Sequence, residues 1–137
     1  MKIFSLRLIL SVTCAFSGVA HANDPCQHLS NTVSINQCKQ TQLKQAQTKQ
    51  EQYWQQALKQ HSRPAEAKQA LENEQKLWQQ YADEHCDTVY QIYLPGTIAP
   101  SMMLDCKIRL TQARTVEIWQ AYMQTLSGDK PALPSPK

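Results

Sequence analysis

The sequence predicts an all-α fold: a small three-helix bundle, a long helical hairpin plus a third helix, with two disulfides at one end. Three observations carry that prediction. From about Asn36 onward apolar residues recur at three- and four-residue steps among Gln, Lys and Glu. Only two stretches interrupt the pattern, "HSRPAE" at 61–66 and the glycine- and proline-bearing part of "CDTVYQIYLPGTIAPSMMLDC" at 86–106. Once the first 22 residues are set aside, four cysteines remain, at 26, 38, 86 and 106.

The first 22 residues are set aside because they read as a leader. "MKIFSLRLILSVTCAFSGVAHA" has a basic start at Lys2 and Arg7, an apolar run from Leu8 to about Val19, and small residues at Ala20 and Ala22. This is the anatomy of a signal peptide cleaved near Ala22. A membrane anchor needs about 20 apolar residues, and this run is shorter and broken by Ser11, Thr13, Ser17 and Gly18. Lipidation at Cys14 is disfavoured by Thr13 before it. The expected location is therefore periplasmic or secreted. Of 14 basic residues 12 then remain against 11 acidic ones. That balance offers no field to steer nucleic acid, and no later segment suggests a membrane span in the mature chain. The remainder suits a single domain over 23–126.

A lead-in from Asn23 holds Cys26. The first helix is expected to start near Ser34–Asn36, where Ser34 and Gln37 resemble a capping box. Its apolar stripe runs through Leu43, Ala46, Tyr53, Trp54, Ala57 and Leu58, with Gln50 in one slot. Ser62 and Pro64 suit the start of the second helix. That helix places Ala67, Ala70, Leu71, Leu77, Trp78 and Tyr81 on one stripe, with Glu74 as a polar member. A third helix is expected from about Ser101, its stripe running through Leu104, Ile108, Thr111 or Gln112, Thr115, Trp119, Tyr122 and Leu126. The tail at 127–137, "SGDKPALPSPK", reads as flexible.

Helix register brings the cysteines together. Cys38 lies about 24 residues before the break at Ser62–Arg63 and Cys86 about 24 residues after it. In antiparallel helices rising about 1.5 Å per residue both reach the same end, where Cys106 returns and Cys26 is within reach. Zinc sites favour close pairs, and spacings of 12, 48 and 20 residues favour disulfides, with no metal. Three pairings fit this geometry. Cys26–Cys38 with Cys86–Cys106 is preferred because it closes the shortest loops, each worth roughly 3 kcal/mol in the chain-entropy model. Cys86–Cys106 would then staple an exposed loop turned at Pro95 and Gly96.

The assembled residues resemble the LprI-like lysozyme-inhibitor family of small exported bacterial proteins, over about Cys26 to Tyr122. The resemblance rests on Cys26, Thr32, Ile35, Asn36 and Cys38; on Tyr53; on Leu71, Gln75, Trp78, Tyr81, Asp83 and Cys86; and on Gly96, Thr97, Pro100, Cys106, Thr111 and Arg114. Two departures stand out: Lys49-Gln50 where the family often has Leu-Asn, and Ala82 where it often has Arg. What the resemblance implies is a helical domain that binds a protein, with a lysozyme as the partner.

Nothing in the chain resembles a nucleophile elbow, a phosphate-cradling glycine loop or a metal-binding His cluster, so no catalytic residue and no cofactor is expected. Asp83, Glu84 and Asp87 read as partners of Lys107, Arg109 or Arg114, and Arg114 as orienting Glu74 or Asp83. Trp54, Trp78 and Trp119 read as core anchors. The expected binding residues are Tyr90, Tyr93, Pro95, Gly96, Thr97 and Met102 on the stapled loop, where tyrosine suits a hot spot and preorganisation lowers the entropic cost of binding. The opposing expectation is that this loop folds back over the bundle's end. The alternative function is a non-inhibitory periplasmic adaptor binding an envelope partner.

Overall fold

A computed structural model describes residues 24–124 and 130–136; the signal-peptide reading, Leu126 and residues 127–129 of the tail lie outside the described residues. Three helices account for the fold: α1 (Thr32–Gln60), α2 (Ala65–Ile92) and α3 (Ala99–Tyr122). α1 begins two to four residues earlier than the capping-box reading places it. Asn31, in extended backbone, is the N-cap, and its side-chain oxygen accepts from the Ser34 amide at 2.8 Å. α2 follows Pro64 directly, with no side-chain cap, so Ser62 does not serve as one. α2 also runs six residues past Cys86, and α3 starts two residues before Ser101 with Pro100 in its first turn.

Contacts at the two ends fix the direction of each helix. Cys26–Cys38 and Cys86–Cys106 are the disulfides, with Cα–Cα separations of 5.8 and 5.6 Å. Lys39 reaches Asp105, and the Ser101 hydroxyl donates to Asn36 at 2.6 Å. These contacts put the start of α1, the end of α2 and the start of α3 at one pole. At the other pole Tyr53, Trp54 and Ala57 of α1, Leu71 of α2, and Ile118 and Met123 at the end of α3 form the core, with Leu58, Trp119, Tyr122 and Leu133 packed against it.

α3 is the middle of the bundle. It packs against both other helices, which barely touch each other. Its apolar residues are spread around its circumference, and nine of its positions are buried against three on α2. A helix apolar on several sides is driven between two partners, whereas a one-sided helix needs only one. The stripe expected on α2 shifts accordingly. Leu71, Ala82 and Cys86 are buried with Gln75 and Trp78 half-buried between them, while Leu77 (65 % exposed) and Tyr81 point outward. With a single neighbour, α2 buries a narrow seam, and a residue one step (100°) off it faces water.

The tail departs from the flexible reading. Among residues 130–136, Leu133 packs on the core and Pro136 is buried. Tyr53 donates its hydroxyl to the Pro134 carbonyl at 2.7 Å, and Trp119 donates its indole N–H to the Leu133 carbonyl at 3.0 Å. Composition alone suggested fraying; two aromatic donors and an apolar anchor hold the segment down.

A rigid apolar turn at the disulfide pole

The stretch between Cys86 and Cys106 is not a long stapled loop. Residues to Ile92 continue α2 and residues from Ala99 belong to α3, leaving six residues, Tyr93 to Ile98, as the connection. The disulfide therefore joins two helices about two turns below a short, tight corner.

The corner is held by its own backbone. The Tyr93 amide donates to the Tyr90 and Val89 carbonyls at 3.2 and 3.3 Å, Leu94 to Gln91 at 3.3 Å, Gly96 to Tyr93 at 2.9 Å and Ala99 to Gly96 at 3.1 Å. A Cβ at Gly96 would sit 2.9 Å from the Tyr93 carbonyl oxygen, so the close approach of two backbone segments demands glycine here. Below the corner, Ala99 and Ser101 are buried and anchor α3 to α1.

What this corner displays is apolar. Ile92 (71 % exposed), Tyr93, Leu94 and Ile98 all face solvent, and Leu29 and Val33 are exposed beside the start of α1 at the same pole. Of the residues expected to bind a partner, Tyr93, Pro95, Gly96 and Thr97 lie on the exposed corner. Tyr90 and Met102 are half-buried on its two helical legs. The corner does not fold back over the bundle; six residues with this hydrogen bonding are too short to do so.

A polar frame holds the pole. Lys39, only 5 % exposed, is gripped by Asp24 at 2.9 Å and by Asp105. Burial pushes the Lys39 pKa down, but its hydrogen bonds to Asp105 and Asp24 outweigh this and leave it above the ordinary lysine value. Asp24 also accepts the Cys26 amide at 2.9 Å and the Gln42 amide at 3.2 Å. The Cys26 bond, foremost among these, holds its carboxyl below the usual carboxylate range. This frame escaped the sequence reading, although Lys39 falls four residues before Leu43 on the α1 stripe and that spacing marks it as inward-facing.

The other site residues singled out from the sequence gather elsewhere, along the α2–α3 seam. Lys107 pairs with Asp83 at 3.3 Å and with Asp87 at 3.8 Å. Arg114, 3 % exposed, lies 2.8 Å from Glu74, 2.9 Å from Glu117 and 3.1 Å from Gln75, with its guanidinium 5.7 Å from the Trp78 ring centre. Tyr122 donates its hydroxyl to Glu74. Trp54 is buried in the core and Trp119 half-buried under the tail. Ala82, where the resembled family often has Arg, is buried on α2. Gln50 is buried on α1.

Among the described residues no group of three or more His, Cys, Asp or Glu side chains could hold a metal ion, and no helix is long and apolar enough to cross a membrane. A family model described as "Lysozyme inhibitor LprI" matches residues 22–118. No curated protein and no solved structure matches the chain.

Proposed function

Since this chain belongs to the lysozyme inhibitor LprI family, we propose that it is an exported inhibitor that blocks a lysozyme with the apolar corner at its disulfide pole. One observation carries the reading: Ile92 at the end of α2, and Tyr93, Leu94 and Ile98 on the six-residue turn that follows it, are all exposed, and the turn is held by its own hydrogen bonds. Exposed apolar side chains on a preformed support bind with little ordering cost. A lysozyme cleft offers two carboxylates; the hydroxyls of Tyr93 and Thr97 are the donors available on the corner to meet them. The near balance of charge leaves shape and burial, rather than long-range steering, to drive association.

The test is a lytic assay on cell-wall substrate. Tyr93→Ala is expected to weaken inhibition at least tenfold, consistent with a hot-spot loss of about 2 kcal/mol, with helicity unchanged. Thr97→Ala weakens it less, because a single hydroxyl contact is worth about 1 kcal/mol. Full inhibition by both variants would overturn the assignment of the site.

The adaptor reading is favoured by a different observation. Leu77 and Tyr81 are exposed on α2, four residues apart on one ridge and remote from the corner, with Tyr81 stacked on His85 at 5.6 Å. If that ridge is the working surface, Leu77→Asp abolishes recovery of an envelope partner by pull-down and leaves lysozymes of every class untouched.

A further inference from the structure

The face shared by α1 and α3 at the core end carries two aromatic donors aimed at main chain. Tyr53 is buried, and its hydroxyl reaches the Pro134 carbonyl at 2.7 Å. Trp119 reaches the neighbouring Leu133 carbonyl at 3.0 Å through its indole N–H. Between these donors Leu133 drops onto the core, and Pro136 is buried beyond them, near Ala46 and Thr115. Beside the tail the groove continues along α1, with about 650 Å³ of open space bordered by Thr41, Gln45, Thr48 and Gln52.

The occupant's chemistry matches the lining. "PALPSP" has prolines at 131, 134 and 136, which supply carbonyl acceptors and no N–H. The two aromatic donors meet two main-chain acceptors of this segment, the Leu133 and Pro134 carbonyls. Both donors bond to main-chain carbonyls and Leu133 is the apolar anchor, the logic by which aromatic-lined grooves take proline-rich peptides.

We propose that this face is a binding groove for proline-containing peptide segments, and that the chain's own C-terminal residues 133–136 occupy it as an internal ligand. A segment of a partner with a Leu-Pro core displaces the tail in order to bind. The tail, tethered a few residues beyond α3, competes at an effective concentration of roughly millimolar. Only a peptide present at comparable concentration, or one that also fills the open groove along α1, replaces it.

The experiment uses the full chain. Leu133→Asp removes the apolar anchor and releases the tail. Hydrogen exchange of the Trp119 indole N–H, followed by proton NMR, is expected to speed at least tenfold with helicity retained. A synthetic peptide of residues 130–137 should slow that exchange again in the variant, and in the wild type only at concentrations at least tenfold higher. Adding Tyr53→Phe to Leu133→Asp should weaken the peptide roughly fivefold, the worth of one hydrogen bond of about 1 kcal/mol. Unchanged exchange in Leu133→Asp, or a folded variant that ignores millimolar peptide, overturns the proposal and leaves the tail a structural strap. Should Leu133→Asp lose helicity, the wild type decides instead. A spin-labelled peptide at millimolar concentration must broaden the Tyr53 and Trp119 signals selectively, and failure to do so overturns the proposal equally.

Discussion

A buried charge shows what a single residue contributes. Lys39 is almost wholly enclosed, yet both carboxylates that grip it retain some solvent. Truncating it leaves Asp24 and Asp105 facing each other without a cation, so Lys39→Ala should cost about 2–3 kcal/mol, below the range for a fully buried pair. A lower urea midpoint at unchanged slope is the readout. Titration separates two further residues. The Asp24 pKa is depressed from 3.8, so its contribution is present above that value and fades as pH falls through the lower folded value; Asp24→Asn should flatten the acid limb of the stability curve. Tyr122 runs the other way. Burial, then Glu74, raises it from 10.0 to about 12, so the neutral phenol's contribution is complete below pH 10.0 and is lost between there and about 12. Tyr122→Phe should remove that alkaline loss, and absorbance titration at high pH should show one late-ionising tyrosine in the parent that the variant lacks.

At the scale of elements the corner between α2 and α3 is the decisive piece. Its shape follows from Gly96, whose missing Cβ lets the Tyr93 carbonyl approach, and from the disulfide that fixes the two legs. Gly96→Ala forces that contact apart and should cost about 1–3 kcal/mol, as overpacking does. It should weaken lysozyme inhibition more than its loss of stability explains, since it distorts the presenting surface itself. Replacing Cys86 and Cys106 together with serine should cost about 3 kcal/mol. The corner's own hydrogen bonds persist in that variant, so part of the inhibition should survive at temperatures where the variant remains folded.

Across the whole molecule, stability depends on α3. It is the one helix with extensive contacts to both others, so a defect in it opens two interfaces. Ile118→Ala, at a fully buried position, should cost about 2–5 kcal/mol. Leu77→Ala on the solvent side of α2 should stay within about 0.5 kcal/mol. Thermal melts of the two variants check the contrast directly. The tail closes over the same end, linking the C-terminal segment to a core that contains residues from all three helices.

How much of this was legible depended on what each property needs. Helix existence, the breaks at 61–64 and near Pro95 and the cysteine gathering follow from local spacing and rise per residue, which the sequence carries; three pairings fit that gathering, and the structure has the preferred one that closes the shortest loops. The α1 stripe was legible for the same reason. Which face of α2 turns inward was not, because Leu77 and Trp78 are both apolar and only the neighbour's position selects between them. The burial of Lys39 depends on two carboxylates 15 residues before it and 66 after it, and the docking of the tail on two aromatic donors far back in the chain. The amino-acid order by itself determined three helices and a covalently closed pole. Tertiary structure decided that α3 sits between the other two, that the bridged segment is a rigid corner rather than a loop, and that the proline-rich end is bound. Those outcomes rest on contacts between residues distant in the chain, whose energies no local pattern contains.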